Sequence, residues 1–342
     1  MQLFKCTNCF QPIYFENLVC GNCGKSLGFL SETMHPVAFE PGYLYQYCEN
    51  FQHGTCNWLV PESNGSTFCK ACELNRIIPD LSNPEYILRW RKLEVAKHRL
   101  IYSLLRFKLP LLSKTTDENN GLAFDFVADI STKPNEKILT GYSNGIITIN
   151  IAEADDIERE MTRRSMQEVY RTLLGHFRHE IGHYYWERLI RDTDRIRAFR
   201  ELFGDERLDY QKALEENYRS GAPANWNENF ISAYASAHPW EDWAETWAHY
   251  MHIVDTLETA YSFGMRVDPV ISGSTEELKA DIKIDPYHIN DFETIIGYWL
   301  PLTFAMNSLN RSMGLNDLYP FVISNAVKAK MKFIHEVVQS HF

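Results

Sequence analysis

The chain has 342 residues, of which 45% are hydrophobic and 13% aromatic, and its formal net charge is -11 at pH 7. This length predicts about two domains with a substantial core, and the composition excludes an intrinsically disordered chain. The acidic balance disfavours a nucleic-acid-binding protein, since such proteins are more often basic. Any nucleic-acid contact would depend on a local surface such as a zinc ribbon.

The N-terminal stretch MQLFKCTNCF lacks the apolar region of a secretory signal, and no run of about 18 apolar residues follows anywhere. We therefore expect a soluble cytoplasmic protein with no membrane segment. All eight cysteines lie before residue 73, at spacings typical of metal sites. A reducing compartment fits that use of cysteine better than an oxidising one does.

Residues 1–30 carry two C-x-x-C pairs, Cys6 with Cys9 and Cys20 with Cys23. Two such pairs are typical of the two knuckles of a zinc ribbon, whose four thiolates hold one tetrahedral ion. The alternative is a pair of disulfides, which the expected reducing compartment disfavours. We predict a zinc ribbon as the first domain.

Residues 43–75 hold the other four cysteines: Cys48, Cys56, Cys69 and Cys72. Four thiolates match one further structural zinc, so that two zincs account for every cysteine in the chain. His53 lies between the first two and could replace Cys48 or Cys56, although we expect it to be a loop residue. This segment is predicted to be a second zinc module.

A linker over residues 74–84 precedes a predicted helix from Pro84 to about Phe107, with Ser82 or Asn83 as its cap. The Lys and Arg residues of this helix are expected on its solvated side.

Alternating and β-branched residues over Gly121–Ile151 predict a small antiparallel sheet. The segment Tyr142-Ser143-Asn144-Gly145 supplies its hairpin turn. Near the C-terminus, apolar patterns predict two core-packing helices, at Asp291–Asn310 and Tyr319–Val338.

Residues 165–191 read as one long helix, centred on His179-Glu180-Ile181-Gly182-His183. Positions four apart lie on one helix face, so both imidazoles can bind one zinc, with Glu180 beside them to take a proton from water. The pentapeptide also occurs in many non-enzymes, where both histidines are ordinary residues. His176 could face the same site, although a packing or hydrogen-bonding role is favoured.

A second informative stretch runs from His238 to Tyr250, HPWEDWAETWAHY. Its three tryptophans recur at helical spacing and are expected in the core. Glu241, Glu245 and His249 follow one another four residues apart on another face. A solvated helix face is the alternative reading of that pattern.

A catalytic zinc with two histidines usually takes a third protein ligand. Residues 241–244, Glu-Asp-Trp-Ala, resemble the Glu-x-x-Ala pattern of gluzincins, which implies that Glu241 is the third ligand. Glu245 is the rival ligand, and Asp242 is less favoured. With Glu241 bound, Glu245 would accept an N–H from a ligand histidine. The candidate oxyanion donors, which the sequence cannot rank, are His238, His249 and Tyr250.

Almost the whole chain resembles the bacterial zinc-binding metallopeptidases that carry an N-terminal zinc-ribbon region. The resemblance rests on CTNC…CGNC, GTCNWLVP, FCKACELNRIIPDLSNPEY, the H-E-x-G-H helix and HPWEDWAETWAHY. It implies an α+β, zincin-like metallopeptidase domain over residues 84–342, with a mostly helical C-terminal part. It also implies one catalytic zinc beside the two structural ones, with Glu180 as general base and a protein or peptide as substrate.

Two other functions compete with this one. The chain could be a zinc-ribbon adaptor whose zincin domain is a catalytically silent scaffold, or it could hydrolyse a non-peptide amide. The intact His179, Glu180, His183 and Glu241 disfavour a degenerate scaffold. No pattern in the sequence predicts the oligomeric state.

Overall fold

The computed structural model describes residues 2–40, 44–129, 138, 140–155, 172–270 and 276–340. The chain divides into two compact units, residues 2–184 and residues 185–342, which we call the N-terminal unit and the C-terminal unit. The described residues form small sheets and seven α-helices, which confirms a mixed α+β class. None of these helices is long and apolar enough to cross a membrane.

Six short strands form three antiparallel pairs at the start of the N-terminal unit. They are β1 (Phe4–Lys5) with β2 (Pro12–Ile13), β3 (Ser26–Leu30) with β4 (His35–Phe39), and β5 (Tyr45–Tyr47) with β6 (Leu59–Pro61). β1 and β2 bracket the turn with Cys6 and Cys9, whereas Cys48 and Cys56 lie in the loop between β5 and β6. The strands are short, and these cysteines occupy the loops that join them.

A four-stranded sheet follows in the same unit, in the order β7-β8-β10-β9. Its strands are β7 (Asn75–Ile77), β8 (Ala123–Val127), β9 (Gly141–Ser143) and β10 (Ile146–Asn150). The prediction of an antiparallel sheet is wrong for two of the three pairings, because β7–β8 and β8–β10 are parallel. Only β9 and β10 are antiparallel.

The physical reason lies in the connections. β10 inserts between β8 and β9, and the chain between β8 and β9 is long enough for a crossover, so β8 gains a parallel neighbour. β7 comes from the segment predicted to be a linker. Alternation identifies strands, but it does not say which strands pair.

The predicted hairpin turn is confirmed. Asn144 and Gly145 have φ values of 46° and 77°, the two positive angles of a type I′ turn. A Cβ at residue 145 would lie 2.4 Å from the carbonyl oxygen of Gly121. Glycine is therefore required there by conformation and by space.

Helix α1 spans Pro84–Arg106 and is capped by Asn83, whose side chain accepts a hydrogen bond from the Glu85 amide. Its bounds confirm the prediction, but the solvated position expected for its basic residues is wrong for Lys97. The Lys97 side chain is fully buried, 2.9 Å from the equally buried Glu94 carboxylate. Asn75 and Trp90 also donate hydrogen bonds to that carboxylate.

Helix α2 spans Leu173–Leu189, and the division between the units falls inside it. Residues 165–171 of the predicted central helix lie outside the described residues.

The C-terminal unit contains five helices among its described residues. They are α3 (Ile196–Phe203), α4 (Tyr210–Ser220), α5 (Pro239–Ser262), α6 (Phe292–Ser312) and α7 (Asn325–Gln339), with a small sheet of β11 (Arg266–Val267) and β12 (Ala280–Asp281). Trp243 and Trp247 of α5 are fully buried, which confirms the core prediction for two of the three tryptophans, whereas Trp240 is only half-buried. Trp243 packs edge-on against Phe199 of α3 and Phe333 of α7.

The two predicted C-terminal helices are present, but the second begins at Asn325 instead of Tyr319. The Ser324 side chain caps it by accepting a hydrogen bond from the Val327 amide. Tyr319 lies before the helix, where Asn307 binds both its amide and its carbonyl. The Ser324 cap therefore determines where the helix begins. Apolar periodicity alone does not locate that start.

Replacement of Lys97 by Met tests the buried pair. The change leaves the Glu94 carboxylate buried without its cation, so we expect the free energy of unfolding to fall by about 3–5 kcal/mol. Urea unfolding followed by tryptophan fluorescence measures it. The control is Lys92→Met, on the exposed side of the same helix, with an expected effect below about 0.5 kcal/mol. Equal losses of stability in the two variants would contradict the assignment of Lys97 and Glu94 as a buried ion pair.

Candidate metal centres

The first four cysteines converge in the N-terminal unit. Sγ of Cys6 lies 3.8 Å from Sγ of Cys23, and Sγ of Cys9 lies 3.5 Å from Sγ of Cys20. All four sulfurs lie within 4.8 Å of one another. Four thiolates around one tetrahedral zinc, each at about 2.3 Å, have sulfurs about 3.8 Å apart. The cluster therefore fits one zinc and needs no disulfide.

The second four cysteines form an equivalent, fully buried cluster. Sγ of Cys56 lies 3.7 Å from Sγ of Cys69. The Trp58 amide donates to the Cys56 sulfur at 3.3 Å, and the Cys69 amide donates to the Cys48 sulfur at 3.4 Å. Such donors stabilise thiolates. Two four-cysteine sites thus support two zinc ions.

His53 is outside the cysteine cluster among the described residues. It ends a 3-10 turn, Glu49–His53, and its carbonyl accepts a hydrogen bond from Arg91 at 2.6 Å. This is the loop position expected for it.

His98 of α1 lies beside the second cluster, with its Nε2 atom 3.8 Å from Sγ of Cys72. Cys72, Glu94 and His98 are close enough to share an ion. The ammonium of Lys97, however, is bonded to Glu94 and would repel a further cation. We interpret this trio as polar support for the cysteine site.

His179 and His183 occupy successive turns of α2, and both are buried. Their Nε2 atoms lie 3.2 Å apart. Two imidazoles on one tetrahedral zinc, each at about 2.05 Å, have nitrogens about 3.3 Å apart. The ring of Tyr142, from strand β9, stacks on His183 with centroids 6.1 Å apart. The pair therefore has the spacing and the burial expected of two ligands of one zinc ion.

Glu180 is 5% exposed and is bonded to His176 on the same helix. His176 Nε2 lies 3.2 Å from Glu180 Oε1, and His176 Nδ1 lies 2.6 Å from Glu153 Oε2. Burial would lower the pKa of His176, but the carboxylates of Glu153 and Glu180 outweigh it and raise that pKa to about 9. Burial would raise the pKa of Glu180, but His176 and the histidine pair outweigh it, and that pKa is lowered.

In the C-terminal unit, Glu241 lies in the first turn of α5 and is 1% exposed. Its Oε1 atom accepts a hydrogen bond from the Tyr210 hydroxyl at 2.7 Å. One turn further along, half-buried Glu245 accepts a hydrogen bond from the Ser232 hydroxyl at 2.5 Å. Both candidate ligands are therefore oriented by hydroxyl groups.

Asp242 is committed to a different interaction. It is fully buried, and its Oδ2 lies 2.6 Å from the Lys330 ammonium of α7. Burial raises the pKa of Asp242 to about 7, against the opposing pull of Lys330. Lys330 also donates to the Asn229 carbonyl at 2.6 Å. This ion pair ties α5 to α7 and leaves Asp242 poorly suited to bind a metal.

The three candidate oxyanion donors have partners within the C-terminal unit. His238 caps α5 by accepting from the Trp240 amide, and its Nε2 atom lies 3.2 Å from the Leu208 carbonyl oxygen. His249 Nδ1 lies 2.8 Å from the Tyr319 hydroxyl. The Tyr250 hydroxyl lies 3.0 Å from His335 Nδ1, and burial raises its pKa.

Sequence reasoning missed the side chains that orient these groups. They are Tyr142, Glu153, Tyr210 and Ser232. None belongs to a metal-site motif, since Tyr142 is identified only as part of the hairpin turn, and each lies in a separate segment from the group that it contacts. Only for Glu153 does the sequence give a weak indication of its role, because it lies in a 3-10 turn that directly follows a predicted strand.

Comparison with known proteins agrees with this chemistry. Residues 86–337 match the model of a family described as "Putative zinc-binding metallo-peptidase", and residues 3–83 match a zinc-ribbon domain. Uncharacterized proteins of Mycobacterium bovis and of two Mycobacterium tuberculosis strains are 44% identical over 339 residues. These matches cover 99% of this chain and 95% of each relative. No solved structure matches the chain.

The family match spans well over half of the chain, and the ribbon match accounts for the region that carries every cysteine. The chain therefore belongs to the zinc-binding metallopeptidase family that this match defines, and it carries an N-terminal zinc ribbon.

Proposed function

We propose that the protein is a zinc-dependent metallopeptidase with a zincin-like catalytic domain that hydrolyses peptide bonds in the cytoplasm. The observation that carries the proposal is the buried pair of His179 and His183, with Nε2 atoms 3.2 Å apart, in a member of this family. Glu180, between them in sequence, is the proposed general base. Eight free cysteines, grouped for metal, support a reducing compartment.

The catalytic zinc is proposed to be held by His179, His183 and Glu241. Two neutral imidazoles and one carboxylate are the donor set of many catalytic zinc sites, and they leave a position for water. When bound there, zinc supplies Lewis-acid chemistry, which makes water more acidic and polarises the scissile carbonyl.

Glu241 is preferred to its neighbours for reasons of chemistry. Asp242 is held by Lys330 and would leave that ammonium buried without its partner. Glu241 is buried and bonded to Tyr210, and ligating carboxylates are usually hydrogen-bonded in this way. Glu245, one turn on, is then the proposed acceptor for the N–H of a ligand histidine, and it remains the rival ligand.

Glu180 is proposed to accept the proton from water and to pass it to the leaving amine. The pKa of Glu180 is lowered, so its carboxylate is ionised at neutral pH, which is the form that can accept a proton. The oxyanion donor is proposed to be one of His238, His249 and Tyr250.

The substrate is proposed to be a protein or peptide that lies along β9. This strand is at the edge of the four-stranded sheet, and its Tyr142 stacks on His183. An extended peptide can add to such an edge through main-chain hydrogen bonds. By analogy with other zinc peptidases, this edge would place the scissile bond near the histidine pair.

Replacement of Glu180 by Gln tests the general base. Cleavage of a proteome-derived peptide library is followed by mass spectrometry. We expect kcat for the cleaved peptides to fall at least 100-fold. Zinc should stay near three per chain, because the ligands are intact. Glu187→Gln, two turns further along α2, is the matched control and should keep wild-type activity. Retained hydrolysis in Glu180→Gln would refute the proposal.

Zinc counting by mass spectrometry tests the third ligand. Wild-type protein should bind three zincs, and Glu241→Gln should bind about two, since an amide is a poor replacement for a carboxylate ligand. Glu245→Gln and the ion-pair variant Asp242→Asn should keep three. The reverse result for Glu241 and Glu245 would make Glu245 the ligand. Two zincs in the wild type would favour a non-catalytic adaptor.

A further inference from the structure

We propose that His176 is a positioning residue for Glu180, held in place by Glu153 so that it fixes one oxygen of the Glu180 carboxylate and keeps a positive charge beside it. This inference rests on the proposed function of Glu180. It adds two residues to the machinery, His176 and Glu153, which no zinc-ligand pattern includes.

The geometry comes from two separate segments. His176 and Glu180 lie four residues apart on α2, so their side chains share one helix face. Glu153 comes from the 3-10 turn Ile151–Ala154, which directly follows β10. The His176 ring lies between them, with 2.6 Å from Nδ1 to Glu153 and 3.2 Å from Nε2 to Glu180.

Both ring nitrogens of His176 therefore face carboxylate oxygens. A carboxylate only accepts hydrogen bonds, so each nitrogen must carry a proton to satisfy both contacts. The ring is then an imidazolium. The raised pKa of His176, about 9, has the same cause, namely the negative charges on each side of a buried ring.

Exposure shows that water does not easily replace this arrangement. The side chains of His176, Glu153 and Glu180 are 15%, 19% and 7% exposed. Charge-assisted hydrogen bonds in such surroundings are stronger and better oriented than those at a surface. A ring that only filled space would not need a carboxylate on each side.

The consequence for the reaction concerns the two oxygens of Glu180. Oε1 accepts from His176, so Oε2 is left to take the proton when an O–H bond of water breaks. The water oxygen bonds to the carbonyl carbon, the C–N bond breaks, and the proton moves from Oε2 to the amine nitrogen. His176 keeps both of its protons throughout. Its charge favours the ionised carboxylate, and so it also favours release of the proton to the amine.

Two replacements of His176 separate charge from space. His176→Gln keeps a hydrogen-bond donor but removes the charge, whereas His176→Lys keeps the charge on a flexible chain. We expect His176→Gln to lower kcat at least tenfold with KM within about twofold, and His176→Lys to recover part of that loss. Glu153→Gln should lower kcat in the same direction. Glu187→Gln is the control, and zinc content and melting temperature are measured for every variant.

A spectroscopic reading accompanies the kinetics. Nitrogen NMR of protein labelled in histidine should show both His176 ring nitrogens protonated at pH 7.5, and Glu153→Gln should remove that signature. Wild-type kcat in His176→Gln, or equal losses in the Gln and Lys variants, would overturn the positioning role. A His176 ring with one proton would do the same.

The outcomes for the two proposals differ. Hydrolysis retained in Glu180→Gln, or a wild-type protein that cleaves no peptide of the library, would overturn the proposed function and this inference with it. An inactive Glu180→Gln beside a fully active His176→Gln would overturn this inference alone.

Discussion

The spacing of two imidazoles on one helix is the constraint on which the rest of the candidate site depends. Because one helical turn takes about 3.6 residues, residues 179 and 183 share a face, and their Nε2 atoms lie 3.2 Å apart. At that separation both nitrogens can bind the one proposed zinc. The adjacent residue, Glu180, would then lie next to the metal without being one of its ligands.

Each unit also buries charged side chains, and in each the buried carboxylate is paired with a buried ammonium group. Glu94 and Lys97 lie in the N-terminal unit, and Asp242 and Lys330 lie in the C-terminal unit. The first pair lies within α1 and the second joins α5 to α7, and each has a further neutral hydrogen-bond partner. Buried pairs of this kind add little net stability, but they are costly to break, and so they fix the position of the elements that carry them.

Much of the local structure could be predicted from patterns with a direct physical cause. The cap at Asn83, the Asn144-Gly145 turn and the tryptophan stripe of α5 all follow from short-range geometry. The cysteine clusters follow from ligand spacing. The pairing of β8 with β10, the burial of Lys97 and the contacts of Tyr210 and Glu153 depend on residues distant in sequence. The periodicity of a segment does not indicate which distant residues it contacts, and for this reason the prediction of an antiparallel sheet is wrong for two of the three strand pairs.

Strand β7 begins three residues after Cys72 and adds a parallel edge to the sheet that contains β8. The stretch matched as a zinc ribbon, residues 3–83, includes this strand, whereas its partner lies in the stretch matched as the metallopeptidase. Cutting the chain between the two matched stretches would take a strand from one and leave an open edge on the other. The zinc-ribbon stretch therefore supplies an edge strand to a sheet of the metallopeptidase stretch, and either stretch expressed alone would lack part of that sheet.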